Sequence, residues 1–211
     1  MTSAEVLRTD LDRLLAERDR PGTVARAVQA VRDQEISVTS LYDDVLVPLL
    51  DRTGAAWQSG DVRVWEEHFA TATVRIIVDA VYPDVIAAAT GPDVPAHRGT
   101  VVLACPAMEE HDLGLRMLSD RFELAGWRSA YLGANTPTEE IIAAAKAFKA
   151  DLVVLSVATH YHRLRARDVV DSIKHAIPGV RIALGGAAFE ADAAGPPPAD
   201  LFDSRVIEDV S

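Results

Sequence analysis

Three short apolar runs constrain this chain more than any other feature: Val101-Val102-Leu103-Ala104, Leu152-Val153-Val154-Leu155 and Arg181-Ile182-Ala183-Leu184. Each is too short for a buried helix and lacks the alternation of a half-exposed strand, so each predicts a strand covered on both faces. Helical periodicity fills the intervals, over 115–125 and 139–148, and again over 167–175 after the second run. Strands alternating with helices predict a doubly wound, Rossmann-like parallel sheet. The segment 191–211, which contains Gly-Pro-Pro-Pro, gives no readable pattern.

The first half has a different period. Leu7, Leu11, Leu14 and Leu15 recur at helical spacing, Pro21-Gly22 predicts a break, and Val24, Ala27, Val28 and Val31 resume the pattern. A third helix is expected to begin near Ser37 to Ser40, to kink at Pro48 and to end around Gly60. Asp61 is the expected cap of a fourth, continuing to about Ala89. Its two apolar faces, Trp65/Phe69/Ala72/Ile76/Ala80 and Glu67/Ala70/Thr71/Val74/Val78/Val81, predict a helix covered on both sides. The expected fold is therefore a helical bundle (1–92), a Gly-Pro-rich linker at 91–95, and an α/β domain (97–211).

Composition excludes several functions. Against 32 acidic side chains stand 21 basic ones, a net charge of −11, which opposes binding to a phosphate backbone. The single cysteine, Cys105, rules out an internal disulfide and a cysteine-rich zinc site. No apolar run reaches the ~20 residues of a membrane span, and no leader pattern opens the chain, so a soluble, cytoplasmic protein is expected. No Gly-x-Ser-x-Gly elbow or Gly-Lys-Ser/Thr loop is present, and no catalytic residue is proposed. His160-x-His162 has no companion at zinc-motif spacing. Arg163, Arg165 and Arg167 beside these histidines fit either a solvated helix face or a surface for an acidic partner.

Ligands of open α/β sheets bind beyond the carboxyl ends of the strands. After the first predicted strand lies Cys105-Pro106-Ala107-Met108-Glu109-Glu110-His111-Asp112-Leu113-Gly114. Glu109 is spaced to hold one ring nitrogen of His111, as carboxylates do for metal-bound imidazoles, and Gly114 lets a bulky ligand approach. A solvated acidic loop with a surface histidine fits the same residues. On the same edge, Ser156-Val157 follow the second run and Gly185-Gly186 the third.

Glu109-x-His111-x-x-Gly114, Tyr131-Leu132-Gly133 with Pro137, Ser156 and Gly185-Gly186 together resemble the cobalamin-binding domain, with Glu109 where that family usually has Asp. The resemblance implies His111 as lower ligand to cobalt and Glu109 as its partner. It also implies Asp112, Gly114, Ser156, Val157, Gly185 and Gly186 around the cofactor and its displaced nucleotide tail.

In the helical half, Val47-Pro48-Leu49-Leu50, Gly54, Trp57 and then Glu67-His68 resemble the light-sensing adenosylcobalamin regulators of the CarH/LitR type. That resemblance implies an upper pocket of Trp57, Glu67 and His68 around an adenosyl group, whereas the residues alone favour core tryptophans and a solvated histidine. Gln58 stands where the best-known members carry a histidine, and the chain begins at the bundle, without a MerR-like DNA-binding domain. The expected function is a stand-alone adenosylcobalamin photosensor acting through a protein partner or self-association, with no direct nucleic-acid or membrane binding. The alternative is a corrinoid methyl carrier of a methyltransferase system, which predicts methylcobalamin instead. A cobalamin store or trafficking protein is a third class.

Overall fold

The computed structural model describes residues 2–91, 97–159 and 162–189. Residues 92–95 of the expected linker at 91–95, His160 and the 191–211 segment lie outside the described residues. The chain divides into two compact units, Met1–Ala88 and Ala89–Ser211.

The first unit is helical throughout. Helix α1 (Ser3–Ala16) opens with a reciprocal cap in which Thr2 and Glu5 each bond the other's backbone N–H. The break before α2 (Arg20–Arg32) falls earlier than Pro21-Gly22. Arg18 turns the chain with φ 61, and Pro21 and Gly22 lie in the first turn of α2, where the Asp19 carboxylate accepts the Gly22 N–H. Proline fits there because first-turn N–H groups have no helical acceptor.

Helix α3 (Val38–Ser40), capped by Ser37, runs through a π-helical turn, Leu41–Leu46, into α4 (Val47–Ser59). The π turn is the structure's response to Pro48. Without a Pro48 N–H the ladder widens, and the Val47 N–H reaches back to Tyr42 O. Gly60, with φ 84, ends α4 as expected.

Asp61 does not cap α5 (Val64–Ala89): its carboxylate accepts from Ser59 Oγ, and Glu66 Oε2 takes the Arg63 N–H at the helix start. One face of α5 is buried, carrying Ala70, Thr73, Val74, Ile77, Val78, Val81 and Val85. The other expected face is open, since Trp65 and Ile76 are exposed. Leu7, Leu11, Leu41, Val45, Leu46 and Leu49 complete the buried interior.

The second unit is an α/β domain with four parallel strands in the order β2-β1-β3-β4. Its elements are β1 (Thr100–Pro106), α6 (Leu113–Leu124), β2 (Arg128–Thr136), α7 (Thr138–Phe148), β3 (Leu152–Ser156), α8 (Arg163–Ala176) and β4 (Arg181–Gly185). Side chains alternate between two cores. Val101, Leu103, Cys105, Leu152 and Val154 meet Leu115 and Phe122 of α6 on one face. Ala104, Val153, Leu155, Ile182 and Leu184 meet Ile141 and Ala145 of α7 and Ala166, Val170 and Ile173 of α8 on the other.

The chain leaves β1 for β2 on one side and then crosses to β3 on the other. The cleft of such a sheet therefore opens between the carboxyl ends of β1 and β3. Strand β2 carries no apolar run. As an edge strand it pairs on one side only, so its mixed sequence, Arg128-Ser129-Ala130-Tyr131, is accommodated. No described helix is long and apolar enough to cross a membrane.

Candidate functional site

The loop from β1 to α6 places Glu109 at that switch point with its side chain 0% exposed. An isolated carboxylate would not remain ionised there, and this one is surrounded by donors. Oε1 accepts the His111 backbone N–H at 3.1 Å and lies 2.6 Å from His111 Nδ1. Oε2 accepts the Ala158 N–H at 2.9 Å and the Thr159 N–H at 3.3 Å, and lies 3.2 Å from His162 Nδ1. Burial pushes the carboxyl pKa up, but the bonds from the His111 ring, the two backbone amides and His162 prevail and hold it at about 2.

An ionised carboxylate only accepts, so both imidazoles present Nδ1–H to it. This fixes the His111 tautomer and leaves a lone pair on Nε2, on a side chain 66% exposed. A buried anion thus orients an exposed imidazole, the arrangement that a carboxylate partner gives at metal sites generally. Gly114, on the first turn of α6, has nothing within 4 Å of where a Cβ would stand, so a large ligand can approach.

The loop is braced from both neighbouring strands. On the β2 side, Asn135 Oδ1 accepts the Met108 N–H and the Asn135 N–H donates to Glu109 O, each at 2.9 Å. On the β3 side stand the amides already named. Beneath it, the buried Cys105 thiol donates to His111 O at 3.6 Å. Burial, with the Asp112 and Glu109 charges, pushes that thiol up to about 12 against a hydrogen bond from Ser156, so it remains a thiol and not a thiolate ligand. Asp112 accepts the Tyr131 hydroxyl at 2.7 Å.

The remaining expected residues divide clearly. Ser156, half-buried at the end of β3, pairs in register with Gly185. Val157 has its side chain in the core, its N–H donates to Gly185 O and its carbonyl accepts the Ala188 N–H. Gly186 has φ +101, and a Cβ there would lie 2.4 Å from Val157 O, so backbone packing already requires a glycine. His162 turns Nδ1 toward Glu109 and Thr159. Among the described residues no three His, Cys, Asp or Glu side chains group as a metal site. His162, Thr159 and Asn135 were missed as site residues. The available signal was a polar residue at, or shortly after, the carboxyl end of a strand that flanks β1.

On the helical unit, Trp57 lies in the last turn of α4 and is 47% exposed, not a core residue. Glu67 repeats the carboxylate–imidazole arrangement: its Oε2 lies 2.5 Å from His68 Nδ1 while Oε1 accepts from Thr71 Oγ1 at 2.6 Å. The His68 side chain is 74% exposed.

The fold and site together define a doubly wound cofactor-binding domain that offers an oriented imidazole at its switch point, preceded by a helical unit. The family follows from comparison. Two models, each described as a B12 binding domain, match residues 7–82 and 99–200, and the chain belongs to this cobalamin-binding family.

The HTH-type transcriptional repressor CarH of Myxococcus xanthus is 34% identical over 149 residues, covering 70% of this chain and 47% of the repressor. The repressor CarA of the same organism is 32% identical, covering 66% of this chain and 43% of its own. The chain therefore spans about half the length of these curated relatives. In structure it is similar to the monomethylamine corrinoid protein of Methanosarcina barkeri, with a TM-score of 0.77, 14% identity, and coverage of 98% of this chain and 97% of that one. That likeness is one of fold.

Proposed function

We propose that this chain is a cobalamin photosensor that holds adenosylcobalamin base-off, with His111 as lower cobalt ligand. The observation that carries the reading is the buried, ionised Glu109, which leaves the exposed His111 ring with a free Nε2. Adenosylcobalamin, once bound, supplies a light-labile cobalt–carbon bond. On the sheet unit, Gly114 leaves room for the cofactor, and Ser156 with Gly185 and Gly186 flanks its nucleotide tail. Asp112 steadies the loop through Tyr131.

The helical unit contributes Trp57, Glu67 and His68 to the upper-ligand side. Exposure of Trp57 and His68, and the 34% identity to CarH, support this part. A ligand biases two states only through contacts that differ between them, and the adenosyl group against Trp57 provides such a difference. The output is then a change in domain packing, in self-association or in binding to a protein partner. The net charge of −11 disfavours direct nucleic-acid contact by these residues.

The test is absorption spectroscopy with adenosylcobalamin in darkness and after green light, with size-exclusion chromatography of both samples. A spectral change with altered assembly or shape supports the photosensor. Stable binding without a light response beyond that of free cofactor, with preference for methylcobalamin, replaces it by a methyl carrier. No cobalamin binding refutes both.

A further inference from the structure

Met108 immediately precedes Glu109 and has a left-handed backbone, φ +75. That region suits glycine, and an unbranched L-residue there bears a steric cost. A buried side chain would offset such a cost through packing. Met108 instead is 61% exposed, the most exposed large apolar side chain among the described residues. The neighbouring structure is built to keep it so. Asn135, itself left-handed at φ +50, uses Oδ1 to take the Met108 N–H and its own N–H to hold Glu109 O. Two left-handed positions, of which only Met108 bears the steric cost, therefore clasp one another and hold an apolar, flexible side chain out at the switch point.

Strain retained at such a place points to function, and a turn alone would be better made with glycine. The chemistry of the side chain indicates its complement. A thioether on an unbranched stem is polarisable and adapts to flat conjugated or aromatic surfaces.

We propose that Met108 is a ligand-contact residue, laid against the planar ring system that His111 binds. The proposal rests on the cobalamin reading of this site and adds a contact on the lower side of the cofactor.

The experiment uses the full chain with Met108→Gly, Met108→Leu and His111→Ala. Two quantities are measured for each: the thermal midpoint without cofactor, and the dissociation constant for adenosylcobalamin in darkness. Met108→Gly relieves the backbone and removes the contact, so the cofactor-free midpoint should hold or rise while binding weakens about tenfold. Met108→Leu keeps the apolar bulk and should bind within about threefold of the parent.

Unchanged affinity in Met108→Gly, with weakened binding in His111→Ala, overturns the role of Met108 and leaves the site reading standing. Unchanged affinity in both overturns both. A fall in the cofactor-free midpoint of Met108→Gly also overturns the proposal, because the side chain would then serve the fold.

Discussion

Glu109→Gln tests the central physical claim, that a buried anion organises the site. The glutamine has the same shape but only one acceptor oxygen, and its amide donates. Turned one way, the amide faces the His111 N–H; turned the other, it faces the Ala158 and Thr159 amides. Either orientation opposes donor to donor, and a buried unpaired donor costs ~1–3 kcal/mol. Titration gives a second route to the magnitude. A carboxyl lowered from 4.5 to about 2 represents about 3 kcal/mol of stability linked to ionisation.

The sign follows from the direction of the shift. A pKa depressed in the folded state contributes in full above 4.5, and the contribution is lost as pH falls from there toward about 2. Glutamine has no such group, so parent and variant should differ by about 3 kcal/mol at neutral pH and converge in acid. Urea unfolding of the cofactor-free protein from neutral to acid pH measures this. The buried Trp127 reports the sheet unit, in a background carrying Trp57→Phe and Trp65→Phe. A gap that is constant with pH, or that widens in acid, would refute the reasoning.

Three further outcomes are expected. Gly114→Ala adds a methyl in open space on a helix, so stability should hold or rise by about 0.5 kcal/mol while cobalamin binding weakens; equal titration curves would place the ligand elsewhere. Gly186→Ala meets both a positive φ and the Val157 carbonyl, and should destabilise by about 3 kcal/mol in thermal or urea unfolding; a parent-like midpoint would contradict the packing described. Trp57→Ala should reduce discrimination between adenosyl- and methylcobalamin in dark binding assays with little loss of fold, because the ring is already half exposed. Undiminished discrimination would remove Trp57 from the upper pocket.

What the sequence made legible was what local chemistry encodes. The three apolar runs became β1, β3 and β4 because residues enclosed on both faces must be apolar along their length. Glu109 and His111 met as their spacing suggested, since two residues in one loop need no knowledge of the rest of the chain.

What remained hidden depends on partners distant in sequence. Strand β2 shows no run because most of its residues are only partly buried, unlike those of the other edge strand, β4. His162 and the Ala158 amide reach Glu109 only because the chain crosses from β2 past β1 to form β3, about fifty residues on. Asp61 failed as a cap for a local reason: Ser59 engages its carboxylate, and Glu66 serves the helix start. The π turn before Pro48 lies between these cases, with a cause visible in the missing N–H and an outcome settled by packing around Tyr42 and Leu46.

The two carboxylate–imidazole pairs show how one local device acquires two characters. Glu109 is fully buried and bonded to backbone amides beyond its own loop, so its position is set by the sheet itself. Moving it would require breaking charge-assisted bonds in a low-dielectric interior. Glu67 bonds within its own helix turn, to Thr71 and His68, and retains 24% of its side-chain exposure. Water competes for those bonds, so the His68 ring can reorient at small cost. A cofactor that is to be held through a chemical change on one face needs a fixed ligand on the other. The buried pair meets that requirement and the exposed pair does not. This asymmetry, beyond the presence of histidine in either place, is the physical ground for proposing His111 as the permanent ligand and His68 as the adjustable contact.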